Sequence, residues 1–168
     1  MKKLVCFIMA LTLFNACQQK VAQRYFSDSP EIESSKKLVG YFASYDYEGM
    51  KSIYSDTVKI YDNSVEPITL TQMINDFKES EGYVEWMKVK DSAEYEMVIT
   101  KDNETWVNCW YVVAFKFKDH DKEFLMPSHA TFQFKDGRIV EEHSFYNTLE
   151  IYREMENFYA SSDTITAN

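Results

Sequence analysis

Residues 127–147, PSHATFQFKDGRIVEEHSFYN, constrain the fold more than any other stretch. Phe132 and Phe134 alternate with polar neighbours, Asp136-Gly137 turns the chain, and Ile139 and Val140 open a second strand. Period-two patterning on both sides of an Asp-Gly pair specifies a β-hairpin, because the tightest hairpin turn needs φ > 0 at both central residues. The hairpin is expected to end a curved antiparallel sheet. Upstream, residues 105–118 place Val107, Cys109, Tyr111, Val113, Phe115 and Phe117 on one face. The other face carries Trp106, Asn108, Trp110, Val112 and Ala114, and turns polar only at Lys116 and Lys118. A strand with one wet face alternates apolar with polar, so this strand needs a cover on each side. Helices suit the concave side; a second subunit or the C-terminal helix suits the other.

Ahead of this sheet the apolar period is 3.6. Ser29-Pro30 supplies an N-cap and a proline at the first helical position, and Ile32, Leu38, Val39, Phe42 and Tyr45 follow on one stripe. Asp46 can cap a short second helix with apolar positions Met50, Ile53 and Tyr54. A short β-prone run at 57–61 is closed by Asp62-Asn63, and Thr69 with Gln72 forms a capping-box pattern for a third helix ending near Gly82. Further strands are predicted at 84–89, 94–100 and 123–126. Asn147 and Glu150 suit the start of a last helix carrying Leu149, Ile151, Tyr152, Met155 and Phe158.

The first residues have a separate logic. Lys2 and Lys3 precede an apolar run at 4–14 that stops at Asn15-Ala16-Cys17. That is the layout of an export signal, and a span crossing a bilayer as a mature helix would need about 20 apolar residues. Phe14-Asn15-Ala16-Cys17 resembles a bacterial lipoprotein signal, which implies that Cys17 is lipidated and holds the chain to the cell envelope, outside the cytoplasm. The alternative is an ordinary cleaved signal. The expected organisation is therefore a signal peptide at 1–16, a tether at 17–29, one domain at 30–158 and a disordered tail at 159–168. Cys6 leaves with the signal and Cys109 stands alone, so no internal disulfide is available. Losing Lys2 and Lys3 from 18 basic residues, against 27 acidic ones, gives a net charge of −11. Such a charge disfavours nucleic acid and anionic membrane surfaces, leaving the lipid as the membrane contact.

The order helix, short helix, strand, helix, long sheet, Asp-Gly hairpin resembles the SnoaL-like branch of the nuclear transport factor 2-like superfamily. The residues carrying the resemblance are Tyr45-Asp46-Tyr47-Glu48-Gly49-Met50-Lys51-Ser52-Ile53-Tyr54-Ser55-Asp56, Val58-Lys59-Ile60-Tyr61-Asp62, and Phe132-Gln133-Phe134-Lys135-Asp136-Gly137-Arg138-Ile139-Val140-Glu141. The resemblance implies a cone-shaped α+β fold, a sheet wrapped around the first helix, and a pocket at the wide end. It also implies a homodimer and chemistry without metal or organic cofactor. Because members range from isomerases and cyclases to pure binding domains, the fold leaves the function open.

In the isomerases of that superfamily a general-base aspartate follows the first strand, and Asp62 is the matching residue; the alternative is a turn residue in Asp62-Asn63-Ser64. Their oxyanion-binding partners do not recur: Leu38 falls near their helix tyrosine and Ala130 near their second acid. His129 and His143 fall on the two strands of the last hairpin, with Glu141 and Glu142 close enough in sequence for a His–carboxylate pair. His143 is the expected proton carrier across the pocket mouth from Asp62. A one-residue bulge after Gly137 would instead turn His143 outward and bring Glu142, Ser144 and Tyr146 inward, passing the role to Glu142. Trp110, Tyr111, His129 and Tyr146 are the expected ligand-binding residues, with core or dimer interface as the other reading. No HxH, CxxC or HExxH spacing, phosphate loop or dinucleotide fingerprint occurs. Three functions stay open: binding a small apolar ligand, cofactor-independent isomerase or lyase chemistry by general acid–base catalysis, and a structural interaction module.

Overall fold

A computed structural model of the chain describes residues 22–90, 92–118, 120–149, 151–153 and 156. The signal at 1–16, Cys17, and the tail at 159–168 lie outside the described residues, as do Met155 and Phe158 of the last helix.

The three N-terminal helices start where their caps dictate. Helix α1 (Pro30–Ser44) begins at Ser29, whose hydroxyl accepts from the Ile32 N–H at 3.1 Å, and it buries Ile32, Ser35, Leu38 and Val39. It ends at Tyr45 in the left-handed region, φ 54°. Helix α2 (Tyr47–Ile53) is capped by Asp46, which accepts from the Gly49 N–H at 2.8 Å. Helix α3 (Leu70–Ser80) carries the full capping box: the Thr69 hydroxyl accepts from the Gln72 N–H, and the Gln72 side chain accepts from the Thr69 N–H.

Seven strands form one curved sheet: β1 (Tyr25–Phe26), β2 (Tyr54–Asp62), β3 (Val84–Val89), β4 (Glu94–Ile99), β5 (Thr105–Phe117), β6 (Glu123–Lys135) and β7 (Arg138–Tyr146). The order is β1-β4-β5-β6-β7-β2, with β3 also pairing β5 beyond the end of β4. All pairings are antiparallel except β2 with β7, which is parallel. The hairpin turn forms where expected, with Asp136 and Gly137 at φ 52° and φ 77° between the paired Lys135 and Arg138. Positive φ at both positions is the tight hairpin geometry that Asp-Gly favours. Pro127 interrupts nothing, because it falls just beyond the point where β7 stops pairing with β6.

Two elements differ from expectation. Tyr25–Phe26, within the stretch expected to be a tether, pairs antiparallel with β4, and Phe26 packs against the main core. Tyr54, expected on the second helix, is the first residue of β2 and is fully buried. Its hydrophobic ring fits either period, and the strand wins because the Arg138 guanidinium donates to the Tyr54 carbonyl at 2.6 Å, tying β2 to the start of β7.

The inward faces of β5, β6 and β7 (Val107, Cys109, Phe132 and Ile139 among them) pack against Ile32 and Leu38 of α1 and Met50 of α2. A second cluster, Val113, Phe115 and Phe124, lies further along the same concave surface, and Ile151 packs against it. Ile151, at the start of the C-terminal segment, therefore packs on the inner side of the sheet and not on the outer face bearing the tryptophans. Among the described residues that outer face stays open. Trp110 is 43% exposed, and Leu125 and Phe145 on the same face are 52% and 51% exposed.

Candidate functional site

The two core clusters leave a cavity of about 350 Å³ between them. Helices α1 and α3 and strand β3 form one wall, and β5, β6 and β7 the other. Most of its lining is apolar, including Phe42 and Phe77, which stack with centroids 5.5 Å apart. The sheet supplies Asp62, Tyr111, Ser128, Glu142, Ser144 and Tyr146, and the helical side adds the hydroxyls of Tyr45, Ser80 and Tyr83.

A bulge decides which residues of β7 face this chamber. Gln133 pairs with Glu141, but the next residue, Phe134, pairs with Ile139, so Val140 is an extra residue on β7. The extra residue separates the buried Ile139 and Glu142 by three positions instead of two. Beyond it Glu142, Ser144 and Tyr146 point inward, and Glu141, His143 and Phe145 point outward.

Glu142 lies deepest, with 3% of its surface exposed. One carboxylate oxygen accepts from the Tyr54 hydroxyl and the other from the Ser144 hydroxyl at 2.5 Å. Burial pushes its carboxyl up to about 7; the Ser144 and Tyr54 hydroxyls oppose the rise and the charge of Asp62 adds to it. Asp62 is the last residue of β2, paired with Ser144 across the parallel ladder, so it opens onto the same chamber from its rim. The Tyr146 hydroxyl donates to Asp62 Oδ2 at 3.0 Å. Partial burial raises the Asp62 carboxyl above its ordinary range, the Tyr146 hydrogen bond opposes this, and Asp76 adds to it. Asp62 also precedes a turn residue, Asn63 at φ 48°, whose N–H donates to the Ser144 carbonyl at 2.8 Å. Both readings of Asp62 are thus compatible: it ends the strand and lines the cavity. Burial also pushes the Tyr111 hydroxyl well above its ordinary value, so it enters the chamber as a neutral donor.

The expectation for His143 is not met. Its ring lies on the outer face, stacked on Tyr61 at 4.4 Å and hydrogen-bonded to Glu141 at 2.9 Å, and it does not line the chamber. The cause is the bulge at Val140. Trp110 and His129 are also outside: they stack on each other at 5.0 Å on the same outer face, opposite the chamber. His129 Nε2 is buried without a hydrogen-bond partner, and burial lowers its basicity. Of the expected ligand-binding residues the chamber receives Tyr111 and Tyr146, and of the expected acid–base residues Asp62 and Glu142. Leu38 and Ala130 are fully buried and supply no polar side chain. Tyr54 was missed because an aromatic residue after a helical run reads as one more apolar helix position.

No family model and no curated protein matches the sequence. Solved structures do match. One is a protein with a ketosteroid isomerase-like fold from Catenulispora acidiphila, solved with trimethylamine: 12% identity, 68% of this chain and 85% of that one, TM-score 0.55. Another is an NTF2-like protein of unknown function from Burkholderia pseudomallei: 11% identity, 75% and 97% coverage, TM-score 0.60. The fold is nuclear transport factor 2-like. IdmH from Streptomyces antibioticus, a candidate polyketide cyclase, matches over 77% of this chain and 99% of its own at 17% identity and TM-score 0.60. At these identities the likeness carries the curved, unclosed sheet and its helices. The fold alone leaves the function open, so a functional reading has to be argued from the residues of the chamber.

Proposed function

We propose that the protein binds a small, mostly apolar molecule in its cone, holding one polar group of that molecule against Glu142 and the neighbouring hydroxyls. The observation that carries this reading is the chamber itself: about 350 Å³ of open space with mostly apolar walls and a few polar groups, both carboxyls among them on the sheet side. Ligand sites have this composition, and their volumes start at roughly 300 Å³. A core built only for stability would have closed the gap, since interiors pack to high density. Native mass spectrometry of the purified protein tests the reading by looking for a co-purifying small molecule. A chain that carries none, and whose chamber side chains respond to no compound in a fragment screen by NMR, would refute it.

A second reading, acid–base catalysis by an isomerase or lyase, is favoured by one specific observation. Two carboxyls share the chamber, and burial holds Glu142 near 7 while Asp62 lies at the rim. Asp62 would take a proton and Glu142 would return one, each within about 3 Å of the reacting atom. Structural neighbours named as candidate cyclases and as an epoxide hydrolase are compatible with it. Turnover abolished by Asp62→Asn, with binding retained, is the expected signature.

Two further expectations complete the reading. Export and lipid attachment at Cys17 would hold the domain at the envelope surface. Self-association would cover the outer apolar patch of Trp110, Val112, Leu125, Pro127 and Phe145. A second copy is the fitting occupant because these residues form one continuous patch across β5, β6 and β7.

A further inference from the structure

We propose that the chamber selects an organic cation, an amine with apolar arms, whose charged head rests between the carboxyls of Glu142 and Asp62 and the surrounding aromatic rings. The proposal rests on the binding-chamber reading and narrows it to a ligand class.

The sign of the available charge comes first. Both ionisable carboxyls of the cavity are acidic groups, and no lysine, arginine or histidine is among the described residues that line it. A ligand carboxylate or phosphate would meet like charge with no counter-ion in a poorly solvated space, which is strongly unfavourable. The walls point the same way. Phe42, Tyr45, Phe77, Tyr83, Phe115 and Phe117 line the cavity. Aromatic faces attract alkylated ammonium groups, which keep little hydration and bury well against rings.

Glu142 supplies the third argument. Both of its oxygens accept protein hydroxyls, from Tyr54 and Ser144, an arrangement made for an ionised carboxylate. Burial works against that ionised form. A positive charge entering the chamber removes the conflict: the Glu142 proton leaves to solvent and the ligand's charge replaces it. The groups facing Glu142 are Tyr54 and Asp62 of β2, Cys109 and Tyr111 of β5, and Ser144 and Tyr146 of β7, with His143 on the opposite face of β7. Asp62 is the other carboxyl among them, with Asp76 beyond it. A permanently charged cation should therefore bind more tightly as pH rises through about 7 and level off above. A neutral ligand accepting a hydrogen bond from protonated Glu142 would show the opposite trend.

Three compounds of one shape separate these outcomes: choline, 3,3-dimethylbutan-1-ol and 3,3-dimethylbutanoate. Titrations of the full chain are followed by the methyl signals of Met87 and Met126, both of which line the chamber. The expected result is that choline binds about tenfold more tightly than the alcohol at pH 8. Its affinity should fall roughly tenfold from pH 8 to pH 6, following the fraction of Glu142 still ionised, while that of the alcohol does not fall. Glu142→Gln should remove both the preference and the pH dependence. Asp62→Asn, at the rim and safer for folding, should weaken choline more than it weakens the alcohol. The alcohol or the butanoate binding as tightly as choline, or choline binding unaffected by both variants, would overturn the cation assignment and leave the chamber reading standing. No methyl shift with any of the three at millimolar concentration would overturn the chamber reading itself.

Discussion

Replacing Glu142 by glutamine should change how stability depends on pH. In the folded chain burial holds this carboxyl at about 7, against an ordinary 4.5. A folded-state pKa above the unfolded value means that the native chain holds the proton more tightly. Its stabilising contribution is fully present below about 4.5 and is lost as pH rises through about 7. At about 1.4 kcal/mol per pH unit, the interval between the two values amounts to about 3 kcal/mol. Glutamine keeps the shape and cannot ionise; its oxygen accepts from one of the Tyr54 and Ser144 hydroxyls and its amide donates to the other. Urea unfolding of both chains at pH 4.5 and pH 8 isolates the effect, because contributions common to both chains, that of Asp62 included, cancel in the difference. Wild type should lose about 3 kcal/mol more than the variant between the two conditions, and the variant should be the more stable chain at pH 8. Parallel pH profiles for the two chains would refute the placement of an ionisable, strained carboxyl at the bottom of the cone.

Other perturbations address the remaining parts of the reading. Trp110→Glu, on the open outer face, should convert a dimer to a monomer in sedimentation velocity; a wild-type chain that stays monomeric at high concentration rules the interface out. A metabolically incorporated acyl probe should label the native protein and not Cys17→Ser, and equal labelling of both would exclude lipidation there. Leu38→Ala, at a fully buried α1 position in the main core, should cost about 2–5 kcal/mol in unfolding free energy and leave chamber binding measurable.

Much of the fold was legible because its signals are local. Ser29-Pro30, Asp46 and the Thr69–Gln72 pair each start a helix by satisfying N–H groups that no helix can satisfy alone, and all three helices begin there. Asp136-Gly137 is equally local, since it dictates φ rather than packing. The boundaries of β3 follow from alternation. The site was less legible, and the reason is one residue. Period-two patterning assigns faces correctly only until the register changes, and Val140 changes it between the turn and the site. Val140 is itself a good strand residue, so nothing in its chemistry marks it as extra. His143 then exchanges places with Glu142, and the choice between histidine and carboxylate chemistry turns on it. The pairing of β1 with β4 was invisible for a different reason: two residues are too few to show any period.

The outward and inward faces of the last hairpin carry their polar groups under opposite conditions, and this contrast bears on function. His143 is paired with Glu141 and stacked on Tyr61, so its environment satisfies it without a ligand. Both oxygens of Glu142 accept hydroxyls, which suits a carboxylate, in a place where burial disfavours a carboxylate. An apolar residue of similar volume would remove that conflict but would leave the buried Tyr54 and Ser144 hydroxyls without their acceptor. The conflict is confined to the one stretch of β7 that borders open space, beside Tyr146 and Asp62. Groups whose titration is displaced by burial and which face a cavity mark functional positions, because their strain is relieved by what enters. The bulge at Val140 thus sets a carboxyl that burial opposes against open space, which is where the proposed cation would enter.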